Sequence, residues 1–337
     1  MTQHLITRRQ ALVGLTAPTA GSQLLGQQSA PPIRVRFLSH ATLTVSDRKR
    51  SLEFYQGLFG LPILHRQDVS MGLRIGAGPQ YISLSQGASG ARPRIGHFCM
   101  TIDSFSVAGV TSTLAAHGLT RGDPGPLKTW VRTRGPEAGG AKEGTPEFYF
   151  GDPDGINVQL QDVSYCGGAG VLGNICMALE RAPSKGLIAL ENWSHFTLSV
   201  SDSRRSTDFY KRVFGLPVAA YQGAMEVLGV GSQRQFLAMG GVQQSMLGIG
   251  HGCFTMRDFN PDRVMKTLSE FGLKPRGTES GPAKPLVYYI STRMEDRGGA
   301  KEGTPELYFT DPDGIVMQIQ DVSYCGGSGY LGNICRS

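Results

Sequence analysis

GGAKEGTPEFYFGDPDGINVQLQDVSYCGGAGVLGNIC at residues 139–176 returns at residues 298–335 as GGAKEGTPELYFTDPDGIVMQIQDVSYCGGSGYLGNIC. Seven of the 38 aligned positions differ and 31 are identical, so the chain carries an internal duplication. The match extends upstream at lower similarity. SHATLTVSD at Ser39–Asp47 pairs with SHFTLSVSD at Ser194–Asp202, and IGHFCMTID at Ile95–Asp103 pairs with IGHGCFTMRD at Ile249–Asp258. Each copy therefore holds one histidine in an early strand, one in a middle strand, and a DPDG turn near its end. A repeat of about 155 residues is too long for a solenoid unit, so each copy is expected to be a domain. The boundaries read as residues 34–176 and 192–335, joined by a linker at 177–191.

The 337 residues are 40% hydrophobic, which is ordinary for a globular chain with two cores. No run of 18 apolar residues exists, so no membrane span is expected. The formal net charge of +6 comes from scattered Lys and Arg without a basic run, which argues against a nucleic-acid surface. Residues 1–30 differ from the rest. Thr7-Arg8-Arg9-Gln10-Ala11-Leu12-Val13 ahead of a weakly apolar stretch resembles a twin-arginine export signal. Export to the periplasm or beyond is the corresponding expectation. Four of the six cysteines are paired by the repeat, Cys166 with Cys176 and Cys325 with Cys335. The Gly-rich segment between them can fold back, so a disulfide in each copy is expected, with reduced buried thiols as the alternative. Cys99 and Cys253 each lie two residues after a histidine and should share its face of the strand.

Alternation and β-rich composition predict a strand over Phe37–Val45, an Asp47 cap, and a helix over Arg48–Phe59 ended by Gly60-Leu61-Pro62. Short strands follow near Gly72–Ile75 and Tyr81–Leu84. A second strand–helix unit starts at His97–Ile102, with its helix at Val107–Ala116. Strands near Lys128–Thr133, Glu147–Phe150 and Ile156–Gln161 close the copy. The second copy matches, with helices near Arg204–Phe214 and Asp262–Phe271 and a last strand at Ile315–Gln320. The fold class is α+β: a tandem duplication of a two-module βαβββ domain, four modules in all.

This pattern resembles the vicinal oxygen chelate superfamily, which includes glyoxalase I, the bleomycin resistance proteins and the type I extradiol dioxygenases. SDRKRSLEFYQGLFGLP and SDSRRSTDFYKRVFGLP after the first strand carry the resemblance, as do FYFGDPDG and LYFTDPDG before the last. It implies that each domain is a cup-shaped mixed sheet with helices outside, wrapped round a divalent metal held by a histidine of the first strand, a histidine of the middle strand and a residue of the last. Those positions are His40, His97 and Gln159 in the first copy, and His195, His251 and Gln318 in the second. Where this chain has Gln159 and Gln318, the extradiol pattern has glutamate. Where it has Lys142 and Lys301, the pattern has histidine. An amide oxygen is a neutral, weaker donor than a carboxylate and leaves the ion its full charge.

Tyr149 and Tyr308 match the family tyrosine that hydrogen-bonds substrate, and Lys142 and Lys301 could steady an anionic intermediate. These four are the implied catalytic residues. Glu147 and Glu306 are reserve carboxylates on the same face. Ser83 and Ala238 sit where a fourth ligand appears in the isomerase branches, so an open coordination position is expected. His65 and His117 have no counterpart in the other copy and are assigned no role. Two equivalent sites per chain are expected.

The resemblance implies Fe(II), with Mn(II), Zn(II) or Cu(II) as alternatives, and a metal-dependent oxygenase acting on a catechol-like or other vicinal-oxygen substrate. The competing readings are a lyase or isomerase using the ion as a Lewis acid, and a metal-free binding protein. The expected partner is a small molecule; assembly into a homo-oligomer is left open.

Overall fold

The computed structural model describes residues 32–336 apart from 233, 279 and 280, so the export-type segment lies outside the described residues. The first repeat runs β1 (Val35–Val45), α1 (Arg48–Phe59), β2 (Ile63–Arg66), β3 (Ser70–Arg74), β4 (Tyr81–Gln86), β5 (Arg94–Ile102), α2 (Val107–Ala116), β6 (Thr120–Arg121), β7 (Lys128–Arg134), β8 (Thr145–Gly151) and β9 (Asn157–Asp162). The second runs β10 (Trp193–Val200), α3 (Ser203–Phe214), β11 (Val218–Gln222), β12 (Met225–Val230), β13 (Gln235–Gly241), β14 (Gly248–Met256), α4 (Pro261–Glu270), β15 (Lys274–Pro275), β16 (Val287–Arg293), β17 (Thr304–Thr310) and β18 (Val316–Asp321).

Each repeat forms one nine-stranded sheet, in the orders β2-β3-β4-β1-β5-β9-β8-β7-β6 and β11-β12-β13-β10-β14-β18-β17-β16-β15. The first strand of each repeat is central, parallel to β4 or β13 on one side and antiparallel to β5 or β14 on the other. The sheets are therefore mixed, as the sequence implies. Local chemistry sets the helices. Asp47 accepts from the Arg50 N–H and Asp202 from the Arg205 N–H, while Gly60 and Gly215 end the two helices at φ 65° and 62°. Among the described residues no helix is long and apolar enough to cross a membrane.

The helices cross between repeats. Phe54 of α1 packs edge-on to Phe271, and Phe59 packs on Phe254 and Phe309, all of the second repeat. Phe209 and Phe214 of α3 pack in the same way on Phe150. The second acidic residue of each DPDG turn ties the seam. Asp154 accepts from the Ser201 N–H and hydroxyl, at 2.9 and 2.6 Å, and Asp313 does the same for Ser46. Trp193 is fully buried between the sheets, stacked 4.5 Å from Phe254, with its indole N–H on the Tyr81 carbonyl. The two repeats thus share one core. Residues 177–191 are fastened to it. Glu180 pairs with Ile63 and binds Arg66, and Leu187 and Ile188 donate to the Leu58 carbonyl.

The first acidic residue of each DPDG turn has a pH consequence. Burial raises the carboxyls of Asp152 and Asp311 to about 6, against the backbone N–H groups that cap them and the hydroxyls of Tyr210 and Tyr55. A folded-state pKa above the unfolded one means the folded protein holds more protons between about 4 and 6. Stability from these two groups is complete below that window and is lost as pH rises through about 6. The Asp152→Asn, Asp311→Asn double variant keeps the capping oxygens but not the charge. Its thermal midpoint should gain on that of the parent as pH goes from 4.5 to 7.5. A constant difference between the two across that range contradicts this assignment.

Candidate metal centre

Strand register lays one row of side chains across each cup. In the first it reads Tyr81, His40, Cys99, Gln159, Tyr149 and Trp130 on β4, β1, β5, β9, β8 and β7. In the second it reads Phe236, His195, Cys253, Gln318, Tyr308 and Tyr289. His97 and His251 lie two residues before the cysteines, on the same face. Each cup thus brings together the two histidines and the glutamine that the sequence singles out.

In the second cup His195 Nε2 is 3.3 Å from His251 Nε2, which is 3.1 Å from Gln318 Oε1. In the first, His40 Nε2 is 3.0 Å from Gln159 Oε1, the two imidazoles are edge-to-face at 5.5 Å, and His97 Nε2 is 3.2 Å from Thr42 Oγ1. Ligand atoms about 2.1 Å from one ion, at angles near 90–110°, lie roughly 3.0–3.4 Å apart, so the spacings of the second cup, and the His40–Gln159 spacing of the first, suit a shared ion. Burial holds His97 and His251 at about 4 and His40 and His195 well below the usual range, leaving the imidazoles neutral and able to ligate. Ser39 and Ser194 hydroxyls stand 3.3 and 3.1 Å from the Nδ1 atoms of His40 and His195, where they can accept a hydrogen bond from Nδ1–H and leave the Nε2 lone pair facing inward.

The amide nitrogens of Gln159 and Gln318 are buried without a partner. With the amide oxygens on the histidines, such an orphan costs about 1–3 kcal/mol, and a bound ligand oxygen would relieve it. Among the described residues no three His, Cys, Asp or Glu side chains cluster, so the third donor in each cup is the amide. The residues present fit a divalent ion on two imidazoles and an amide oxygen.

The reserve carboxylates are engaged elsewhere. Glu147 accepts from Arg134 Nε at 2.9 Å, from the Tyr165 hydroxyl at 3.0 Å and from the Tyr149 hydroxyl at 3.3 Å. Glu306 repeats this with Arg293, Tyr324 and Tyr308. These glutamates fix Tyr149 and Tyr308, which meet His97 and His251 edge-on at 5.3 and 5.2 Å. Burial pushes the thiols of Cys99 and Cys253 up, and their Sγ atoms face the carbonyls of Met100 and Phe254, so they pack as neutral thiols. Lys142 and Lys301 are exposed in the loops ahead of β8 and β17, and Lys142 does not line the first cup. The loop around Lys142 is closed by its own bonds, from Gly140 N–H to Gly135 O and from Ala141 N–H to Thr145 Oγ1.

Tyr165 and Tyr324 lie 5.9 and 5.7 Å from the rings of His40 and His195, and sequence reasoning missed them. Their signal was the identical DVSYCGG in both copies. Both cysteine pairs are disulfide-bonded, Cys166 to Cys176 and Cys325 to Cys335, which folds that segment back.

Solved structures share this architecture. The substrate complex of homoprotocatechuate 2,3-dioxygenase from Brevibacterium fuscum superposes with a TM-score of 0.60 at 16% identity, over 88% of this chain and 83% of that one. The Mn(II)-bound glyoxalase from Novosphingobium aromaticivorans gives 0.58 at 17% identity, over 85% and 82%. Homoprotocatechuate 2,3-dioxygenase from Arthrobacter globiformis gives 0.56 at 17%, over 89% and 84%. At such identities the likeness speaks to the fold. The family model described as the Glyoxalase/Bleomycin resistance protein/Dioxygenase superfamily matches residues 37–160 and 193–319, one match per repeat. Matched along both repeats, from the first strand to the one that carries the glutamine, the chain belongs to that superfamily.

Proposed function

We propose that each cup holds a divalent ion on His40, His97 and Gln159 or on His195, His251 and Gln318, and that the protein is an oxygenase for catechol-like substrates. The carrying observation is the convergence of two imidazole nitrogens and an amide oxygen at 3.1–3.3 Å in the second cup. Iron(II) suits the reading best, with manganese(II) next. Support also comes from the dihydroxyphenylacetate complex among the similar structures and from Ser83 and Ala238, which offer no strong fourth ligand. When bound, the ion would supply Lewis acidity and a place for two vicinal substrate oxygens.

The chain's own groups do the rest. The orphaned amide N–H of Gln159 or Gln318 donates to a substrate oxygen. Tyr149 or Tyr308, held by its glutamate, walls the ring. Trp130 and Tyr289 stack behind those tyrosines at 5.8 and 5.1 Å and extend an aromatic surface. The twin-arginine-like segment supports export of the folded, loaded protein.

Iron-loaded protein given catechol and oxygen is expected to consume one dioxygen per catechol and release a ring-opened product heavier by two oxygen atoms. The His40→Ala, His97→Ala, His195→Ala, His251→Ala variant should not. The neutral ligand set also favours a second reading, in which the ion acts only as a Lewis acid in a lyase or isomerase. Metal-loaded protein that transforms a vicinal-oxygen substrate without oxygen uptake would establish that reading instead.

A further inference from the structure

The triad residues repeat but the walls beside them do not, against the expectation of two equivalent sites. On the ladder between β2 and β3, His65 faces Gly72, and the same pair in the second repeat is Ala220 and Val227. The exchange balances volume. A Cβ on Gly72 would lie 2.2 Å from His65 Cε1, and one on Gly167 would lie 2.4 Å from it, so the ring fills a slot between two glycines. Further along, Tyr81, Ser83 and Ser85 beside β1 become Phe236, Ala238 and Gly240 beside β10. In the second cup Ala220, Val227, Phe236 and Ala238 pack with Tyr324 as one apolar cluster. In the first, His65, Ser83 and Ser85 line one pocket together with His40 and His97.

His65 is polarised in a defined sense. Its Nδ1 is 2.9 Å from the Cys166 carbonyl oxygen. A carbonyl only accepts, so Nδ1 carries the proton and Nε2 the lone pair. The ring is 3% exposed, and Cys166 is pinned by its disulfide. His65 lines the same pocket as the triad, and an acceptor on such a wall selects ligands that bring a donor and rejects those that do not.

We propose that the two cups have parted in specificity. The first takes an aromatic ligand with a hydroxyl beyond the vicinal pair, donated to His65 Nε2. The second takes a vicinal diol with an apolar group at that place. The proposal rests on the reading of the triads as metal sites that chelate two oxygens.

The test is anaerobic calorimetry of zinc-loaded protein with pyrogallol and with 3-methylcatechol. The His195→Ala, His251→Ala variant isolates the first cup, and His40→Ala, His97→Ala the second. The first cup is expected to prefer pyrogallol at least tenfold, and the second 3-methylcatechol at least tenfold. His65→Ala with Gly72→Val should reverse the first preference, and Ala220→His with Val227→Gly the second. Equal preferences in the two cups, or preferences unmoved by the exchange, overturn the proposal. Zinc content measured before titration separates the two ideas, because protein that retains no zinc overturns the metal reading. In that case, or if the exchange variants do not fold, wild-type protein labelled with ¹⁵N-histidine decides. His65 should show the Nδ1–H tautomer, with an Nε2 resonance that moves with pyrogallol and not with 3-methylcatechol. An Nε2 resonance indifferent to pyrogallol overturns the proposal.

Discussion

Replacing Gln159 and Gln318 with glutamate should push the metal-free and metal-bound proteins in opposite directions. Both side chains are 1% exposed, and each presents its oxygen to a histidine Nε2 at 3.0 or 3.1 Å. Without metal, a carboxylate there is a buried charge beside neutral imidazoles, and the orphaned amide donor is gone. The desolvation cost outweighs the relief of the orphan, so the apo variant should lose several kcal/mol or titrate near neutrality. With a divalent ion the same carboxylate becomes an anionic ligand at bonding distance. Metal affinity should rise at least tenfold per site, and about 1.4 kcal/mol of extra stabilisation per tenfold follows by linkage. The measurement is a pair of melting curves, with chelator and with saturating metal, for parent and variant. A variant destabilised equally under both conditions would show that the glutamines do not face a metal.

Replacing Arg134 with methionine should be among the most damaging single changes outside the triads. Its side chain is fully buried and Glu147 is 5% exposed, with Nε on Oε1 at 2.9 Å. The guanidinium also donates to the Gly168 carbonyl, so one residue joins β7, β8 and the disulfide-closed tail. Removing it leaves a buried carboxylate held only by tyrosine hydroxyls and the distant Arg132 at 4.0 Å. Loss of one partner of such a pair costs about 3–5 kcal/mol. Arg293→Met should do the same in the second repeat. Removing both members, as Arg134→Met with Glu147→Leu, should cost less than Arg134→Met alone. Chemical denaturation of the three variants checks this. A double variant no more stable than the single would mean the cost is lost packing.

Much of this arrangement is legible in the amino-acid sequence. The helix at Arg48–Phe59 follows from its Asp47 cap and apolar members, and the structure keeps its bounds and those expected for Val107–Ala116. The packing of α1 against the other repeat is not legible, because no pattern within one repeat can reveal it. The triads are legible only through the family resemblance, because two strand histidines and a glutamine have no spacing of their own. Strand β2 escapes a sequence reading: four residues after Pro62 give too short a run for a periodicity to register. With it goes His65, whose meaning depends on the Gly72 opposite and the Cys166 carbonyl 101 residues away. Lys142 shows the converse. A motif position can be matched while the hairpin's own hydrogen bonds close it into a loop that leaves the side chain in solvent.

Each His-His-Gln triad is expected to hold a divalent ion. The most direct measurement is elemental analysis of folded, untagged protein after anaerobic supply of iron, manganese, zinc and copper. Two ions per chain are expected, falling to one when His195 and His251 are replaced by alanine and to none when His40 and His97 are replaced as well. Protein that retains no stoichiometric metal under any supply, or that loses all of it with the first pair of substitutions, would contradict the account.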